Sequence, residues 1–296
     1  MSDRGKLLSD IESLLSGTEK PSTPDSQQLL DSWHQESEKR FLELLPQNQN
    51  LTWPVEFNNH RCQLSYMISL NGDEAISHLS QALIEVNNKV LNTIRTGWSM
   101  FYSVIAPEFA PRIVPEKPDG TGKNVLEANY MNIEMLSSYG RDLWIPEFWR
   151  ITPDGCASLI RGYMEDRSYS NKTLGRTPGT WLSPETVIRE TAELVTHAKE
   201  FAKYFNTAVQ VSFRCTWMGL GNRKLLDFHP SSDYFRCHEA QTDKRTTEKT
   251  YDIVELEAKW STVVSDLSEP VLSLFGFEYC SPEFIENMKS QFIKIK

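Results

Sequence analysis

The side chains with the most chemistry to offer in this sequence are arginines interleaved with aromatic rings. Arg95, Trp98 and Tyr102 fall in one short stretch, Arg150, Arg161, Tyr163 and Arg167 in a second, and Arg214, Trp217 and Arg223 in a third. A guanidinium is a planar fork of donors that takes a phosphate or carboxylate through two hydrogen bonds at once. If the strands around 98–105, 148–164 and 209–217 belong to one sheet, several of these arginines share its polar face and form an anion pocket. Trp98, Tyr163 or Trp217 would then offer rings on which nucleic-acid bases stack. The plainer reading is a solvated sheet face whose arginines pair with Glu165 and Asp166.

Other chemistries find less support in the spacing. Asp119-Gly120-Thr121-Gly122-Lys123 looks like part of a phosphate-binding loop, but Lys117 stands where that loop needs a glycine and Asn124 where it needs Ser or Thr for magnesium. The histidines, His34, His60, His78, His197, His229 and His238, form no HxH, HExxH or Cys-His spacing. Asp227, His229, Cys237 and His238 are the densest group and read as polar loop residues. There is no GxSxG elbow. Glu165 and Asp166 are adjacent, so on a strand their carboxylates point to opposite faces. Together with His197 they are the residues from which a hydrolase or nuclease site assembled at a distance would be drawn. No catalytic residue, metal or cofactor is assigned.

The bulk numbers narrow the partners. A formal charge of −9 and an isoelectric point near 5.3 repel phosphate backbones and anionic lipids alike, so nucleic acid is disfavoured and a membrane surface more so. No apolar run is long enough to span a bilayer, and Met1 to Lys6 lacks the layout of a secretion signal, so the expected location is the cytoplasm. Five cysteines without a CxxC pair read as buried thiols.

The elements that must position these side chains follow from periodicity. Leu7, Leu8, Ile11, Leu14 and Leu15 predict a short helix, followed by a Pro-Ser-Thr linker over 19–26. A second helix from about Pro24 to Leu45 carries Leu29, Leu30, Trp33, Phe41 and Leu44, and its apolar seam needs either the main domain or another chain. Cys62 to Leu70 alternates like a half-buried strand, and Ile76 to Ile94 repeats every three or four residues like a helix begun near Asp73. Trp98 to Ile105 reads as a strand, and the four prolines between Ala106 and Lys123 predict an irregular loop. Pro153-Asp154-Gly155 turns a hairpin between 148–152 and 157–164. Ser183-Pro184-Glu185 starts a helix, and Val209 to Trp217 alternates strictly as a strand, with Lys224 to Phe228 as its return. One helix is expected over Ile253–Leu267 and another after Ser281-Pro282-Glu283. The expected fold class is α+β, a largely antiparallel sheet packed with amphipathic helices, with residues 1–50 a helical extension and 51–296 the main domain.

The segments Arg95 to Tyr102, Phe148 to Gly155, Arg161 to Asp166, Pro178 to Trp181 and Ser212 to Leu220 resemble, in their order, the C-terminal region of bacterial proteins carrying a Schlafen-type AlbA-like, ATP- or nucleic-acid-binding domain. The likeness runs over about residues 75–290, and the AlbA-like part that lies N-terminal in that family has no counterpart here. The resemblance therefore implies an accessory or sensing module in a bacterial stress or phage-defence setting, without the family's nucleotide chemistry. The leading expectation is a non-catalytic binding module that recognises a partner protein or an anionic ligand, with the N-terminal helices docking on another chain or on a second copy. A nucleic-acid contact through the arginine-aromatic set and a distant-residue hydrolase are the alternatives.

Overall fold

The computed structural model describes residues 26–45, 55–94, 100–102, 110–116, 122–131, 145–167, 176–225 and 238–292. Helix α1 spans Ser26–Leu44, β1 Arg61–Leu70, α2 Leu79–Thr93, β2 Arg112–Pro115, β3 Asn124–Asn129, β4 Glu147–Ile151 and β5 Cys156–Gly162. After β6 (Trp181–Leu182) come α3 (Pro184–Ala202), β7 (Ala208–Met218), β8 (Lys224–Leu225), β9 (Lys244–Asp252), α4 (Ile253–Ala258), α5 (Trp260–Leu272) and α6 (Pro282–Phe292). The fold is α+β. Seven strands form one antiparallel sheet in the order β2-β3-β4-β5-β1-β7-β9. No helix among the described residues is long and apolar enough to cross a membrane.

The register fixes which side chains share a face, because side chains along a strand alternate. Leu64 lies opposite Leu159 and Cys215, Tyr66 opposite Ala157 and Phe213, and Leu159 opposite Trp149. This apolar face packs on α2, α3 and α5 through Leu83, Val86, Val90, Leu194, Phe201, Val263 and Leu267, all fully buried. The opposite face carries Gln63, Ser65, Ser158, Arg150, Arg214 and Thr216, and α1 lies across it. The alternation in β1 predicts one solvated face, yet Gln63 and Ser65 are as buried as Leu64, because α1 supplies a second cover.

Several expected elements change. The α2 helix starts at Leu79 rather than near Asp73, because Glu74 is tied down, its carboxylate accepting the N–H groups of Asn206 and Thr207 at 3.0 Å. Met100 and Phe101 form a turn and not a strand, with Phe101 in the left-handed region at φ 54°. Arg112–Pro115, expected to be irregular, pairs with β3 as the sheet's edge, Pro115 opposite Asn124, and an edge strand is where a residue without an N–H is tolerated. Lys224–Leu225 pairs in parallel with β6 rather than returning along β7. The helix expected over 253–267 is two, α4 and α5, divided at Lys259. The helix expected over 6–15 lies outside the described residues, as do Arg95 and Trp98.

Candidate functional site

The arginine-aromatic set divides among three places, and none of its members within the described residues stands alone on a solvated face. Arg161 faces the helices: its guanidinium meets Glu147 at 2.6 Å, Glu190 at 2.6 Å and Glu193 at 3.8 Å, all buried. Burial works against its charge, and the three carboxylates outweigh burial and push its pKa up. Glu193 also accepts the Met100 N–H at 2.7 Å; burial pushes its carboxyl up to about 7, with Glu190 adding to the effect and Arg161 opposing it.

Arg223 is the centre of a second cluster. It holds both oxygens of Asp166, at 3.0 and 2.7 Å, and donates to the carbonyls of Trp181 and Gly219. Its guanidinium lies 4.6 Å over the Tyr163 ring, which stacks on Trp217 with centroids 6.0 Å apart and planes 2° from parallel. Tyr163 and Trp217 are thus spent on each other, and the Tyr163 hydroxyl contacts the carbonyls of Arg61 and Met218. Arg167 sits at the rim, its Nε donating to the Met164 carbonyl, and Tyr102 is half-buried, its carbonyl accepting from Trp149 and Tyr130. Glu165 does not pair with these arginines as a solvated partner: its carboxylate accepts the Ser183 N–H at 3.0 Å and the Thr186 hydroxyl at 2.6 Å. It therefore caps α3, a task expected of the Ser183 side chain.

Arg150 and Arg214 belong to the third place, the polar face beneath α1. One row crosses six strands there: Glu127, Arg150, Ser158, Ser65, Arg214 and Glu248 stand opposite one another in turn. It reads acid, base, hydroxyl, hydroxyl, base, acid. The ends are ion pairs, Arg150 with Glu127 at 3.5 Å and Arg214 with Glu248, and the centre is the hydrogen bond from Ser65 to Ser158 at 2.9 Å.

Helix α1 crosses this row and matches it. Asp31 meets Arg214 and Arg40 meets Glu127 at 2.8 Å. Nine residues of helix rise about 13.5 Å, and the four strand spacings from β7 to β3 span about 19 Å, a difference that the long Arg40 side chain covers. Between them, His34 Nδ1 lies 2.8 Å from the Ser65 hydroxyl and Nε2 3.1 Å from the Thr216 hydroxyl, while Gln63 donates to the His34 carbonyl at 2.7 Å. Because Ser65 gives its own hydrogen to Ser158, the fitting tautomer carries the proton on Nδ1 and accepts at Nε2. Burial, followed by Arg214, Lys244 and Arg61, lowers the His34 pKa to about 3, so the ring is neutral. Glu38 completes the set on Arg61 at 2.7 Å.

The match is incomplete. Arg61 Nη1, Gln63 Oε1, Arg214 Nε, Trp33 Nε1 and Ser37 Oγ are buried at this interface without a hydrogen-bond partner, and Arg150 Nε has only its 3.5 Å contact with Glu127. Each such group costs about 1–3 kcal/mol relative to a satisfied one. Burial pulls the Arg61 and Arg150 guanidiniums below the usual arginine value. An apolar anchor offsets this at one end, where Phe41 and Leu44 pack with Phe57, Met131, Phe148 and Ile160. Beside it, a cleft of 420 Å³ lined by Lys39, Arg40, Glu116 and Arg150 leaves the α1 flank open towards β2.

Sequence reasoning found Arg150 and Arg214 but missed Arg61, His34, Asp31, Glu38, Arg40 and Glu127. For the helix residues the available signal was His34 standing beside Leu30, Trp33 and Phe41 on the apolar seam itself. Among the described residues no group of three His, Cys, Asp or Glu side chains is placed to hold a metal ion. Asp227, His229 and Cys237, weighed above as a ligand group, lie outside the described residues. No family model, curated protein or solved structure matches the chain.

Proposed function

We propose that this protein is a non-catalytic binding module that recognises a protein partner. The observation that carries the reading is the sheet face beneath α1, whose row of acids, bases and hydroxyls is held by a polypeptide helix through side chains of matching charge. A surface that reads a helix by its charge order is a protein-recognition surface. The setting follows the resemblance noted above: a bacterial defence or stress-response assembly in which this chain is the accessory or sensing part.

The alternatives draw less support from the geometry. Base stacking needs an open ring face, and Tyr163 and Trp217 are buried against each other. A hydrolytic site needs carboxylates free to move protons, whereas Glu165 caps α3, Asp166 is bound to Arg223, and His197 Nδ1 is 2.9 Å from the Tyr66 hydroxyl.

The test is purification at low salt with whatever accompanies the chain, with mass measured by light scattering and nucleic acid by ultraviolet absorbance. A stoichiometric protein companion or a self-oligomer is expected. Turnover lost in Glu165→Ala, or nucleic acid removable by nuclease, would overturn the reading.

A further inference from the structure

Independently of the face beneath α1, we propose that β9 is a pairing edge at which two copies of this chain join their sheets, antiparallel and about a two-fold axis at Thr246. The two edges of the sheet are built differently. Edge strand β2 has four residues and ends in Pro115, and both features keep an edge from pairing. Edge strand β9 has nine residues, no proline and an unbroken register along β7. Ladder bonds alternate in direction along a strand. The Ile68 N–H donates to the Gly155 carbonyl on the β5 side, so Ser65 and Met67 bond towards β7, Phe213 and Cys215 towards β9, and Thr247 and Lys249 back towards β7. The N–H and C=O groups of Lys244, Thr246, Glu248 and Thr250 therefore point outward from the edge, where none of the described residues takes them.

The side chains of β9 select a second copy as the occupant. Residues opposite one another in an antiparallel pair both point outward or both inward, so the two-fold axis passes through a residue position and never between two. Centring on Glu248 sets the two Glu248 carboxylates face to face, and centring on Thr247 sets Arg245 against Lys249. Centring on Lys249 opposes the two Lys249 ammoniums, and centring on Thr250 opposes Glu248 and Asp252. Centring on Thr246 brings no like charges together: Lys244 meets Glu248 of the second copy, Lys249 meets its Asp243, Arg245 meets its Thr247, and Thr246 meets Thr246. Opposite charges across a strand pair stabilise it and like charges destabilise it. Lys244 and Lys249 are exposed and have no ion pair among the described residues, and the second copy supplies one to each. Glu248, already held by Arg214, comes to stand between two cations.

Light scattering on the full-length chain across a concentration series reads the pairing, the mass climbing from that of one 34.1 kDa chain towards about twice that value. Thr246→Pro removes an outward N–H without touching the β7 ladder, and it should weaken pairing by about tenfold or more, because the axis doubles the loss. Lys249→Asp and Asp243→Lys, both at exposed positions, each set like charges opposite one another and should weaken pairing by about tenfold alone. An equal mixture of those two variant chains restores both ion pairs and should regain the parent's mass, a rescue that only this register gives. A monomer at every concentration, a dimer indifferent to Thr246→Pro, or a mixture that stays monomeric overturns the proposal. Circular dichroism checks the fold of Thr246→Pro, and the two charge variants decide should it fail to fold. A parent chain that is monomeric yet carries a stoichiometric protein companion would keep the recognition reading and overturn this one.

Discussion

Asp166 and Arg223 form a two-oxygen, two-nitrogen ion pair in which neither side chain has any solvent exposure. The pair links the short 3₁₀ turn after β5 to the loop that leaves β7, and the same guanidinium caps the Tyr163-Trp217 stack. Asp166 also accepts the Gly179 N–H at 2.7 Å, so three chain segments meet on one carboxylate.

Removing one partner of such a pair leaves a buried charge with no counterion. Asp166→Ala is expected to destabilise the fold by about 3–5 kcal/mol, measured by urea denaturation. Replacing both residues, Asp166→Leu with Arg223→Met, should restore part of the loss. A single substitution that changes stability by less than 1 kcal/mol, as an exposed pair would, would contradict the buried geometry.

Gly219 precedes that arginine and adopts φ +70°. An added Cβ would stand 2.6 Å from the Asn59 carbonyl oxygen and from His60 Nδ1. Gly219→Ala therefore combines a disfavoured backbone region with a contact against main chain, and a loss of about 1–3 kcal/mol is expected. Thermal unfolding of Gly219→Ala beside Gly72→Ala, whose Cβ meets nothing within 4 Å, separates the clash from the dihedral penalty.

Cap chemistry on α3 rests on Glu165. Replacing it with Ala removes the acceptor for Ser183 N–H and Thr186 Oγ1 and should cost about 0.5–2 kcal/mol. Glu165→Gln keeps an oxygen for the same donors and should lose less, which urea denaturation of the two variants would reveal.

Three buried groups set opposite pH slopes. Burial lowers both His34 and His197 to about 3, so each unfolded histidine binds a proton that the folded one refuses between pH 6.5 and about 3. Stability falls as the pH drops through that window, by about 1.4 kcal/mol per pH unit for each group. Glu193 runs the other way: its folded pKa of about 7 lies above the unfolded value, so its contribution is full below pH 4.5 and is lost as the pH rises towards 7. From these groups, stability climbs on leaving acid, by about 1.4 kcal/mol per pH unit between pH 4.5 and 6.5 where two histidines oppose one glutamate, and levels off near pH 7. Glu193→Gln should steepen the climb between pH 4.5 and about 7 and leave the part below pH 4.5 unchanged, and a denaturation series across pH measures both.

Much of the fold was legible where local pattern and burial agree. The alternation from Val209 to Trp217 is β7, and the Pro184 start with Val187, Ile188, Leu194 and Val195 at helical spacing is α3. Strand β9 went unread because Lys244 to Asp252 forms an edge with most of its side chains in solvent, so no apolar alternation marks it. The candidate site was legible in residue type more than in place. Arg150 and Arg214 do share a sheet face, but Arg161 projects from the other one, since Cys62 and Leu64 set its register.

The sequence by itself determined the α+β class, the amphipathic helices and the central strands, since each depends on periodicities of two or of three to four residues that neighbours in the chain enforce. Tertiary structure alone decided that the polar face of the sheet is buried and which charge meets which. Arg223 and Asp166 lie 57 residues apart, and His34 and Thr216 are separated by 182. Side chains so distant along the chain become neighbours only after the sheet has closed its register and α1 has crossed it. Pairing across such separations depends on charge and reach in three dimensions, for which a linear spacing holds no signature.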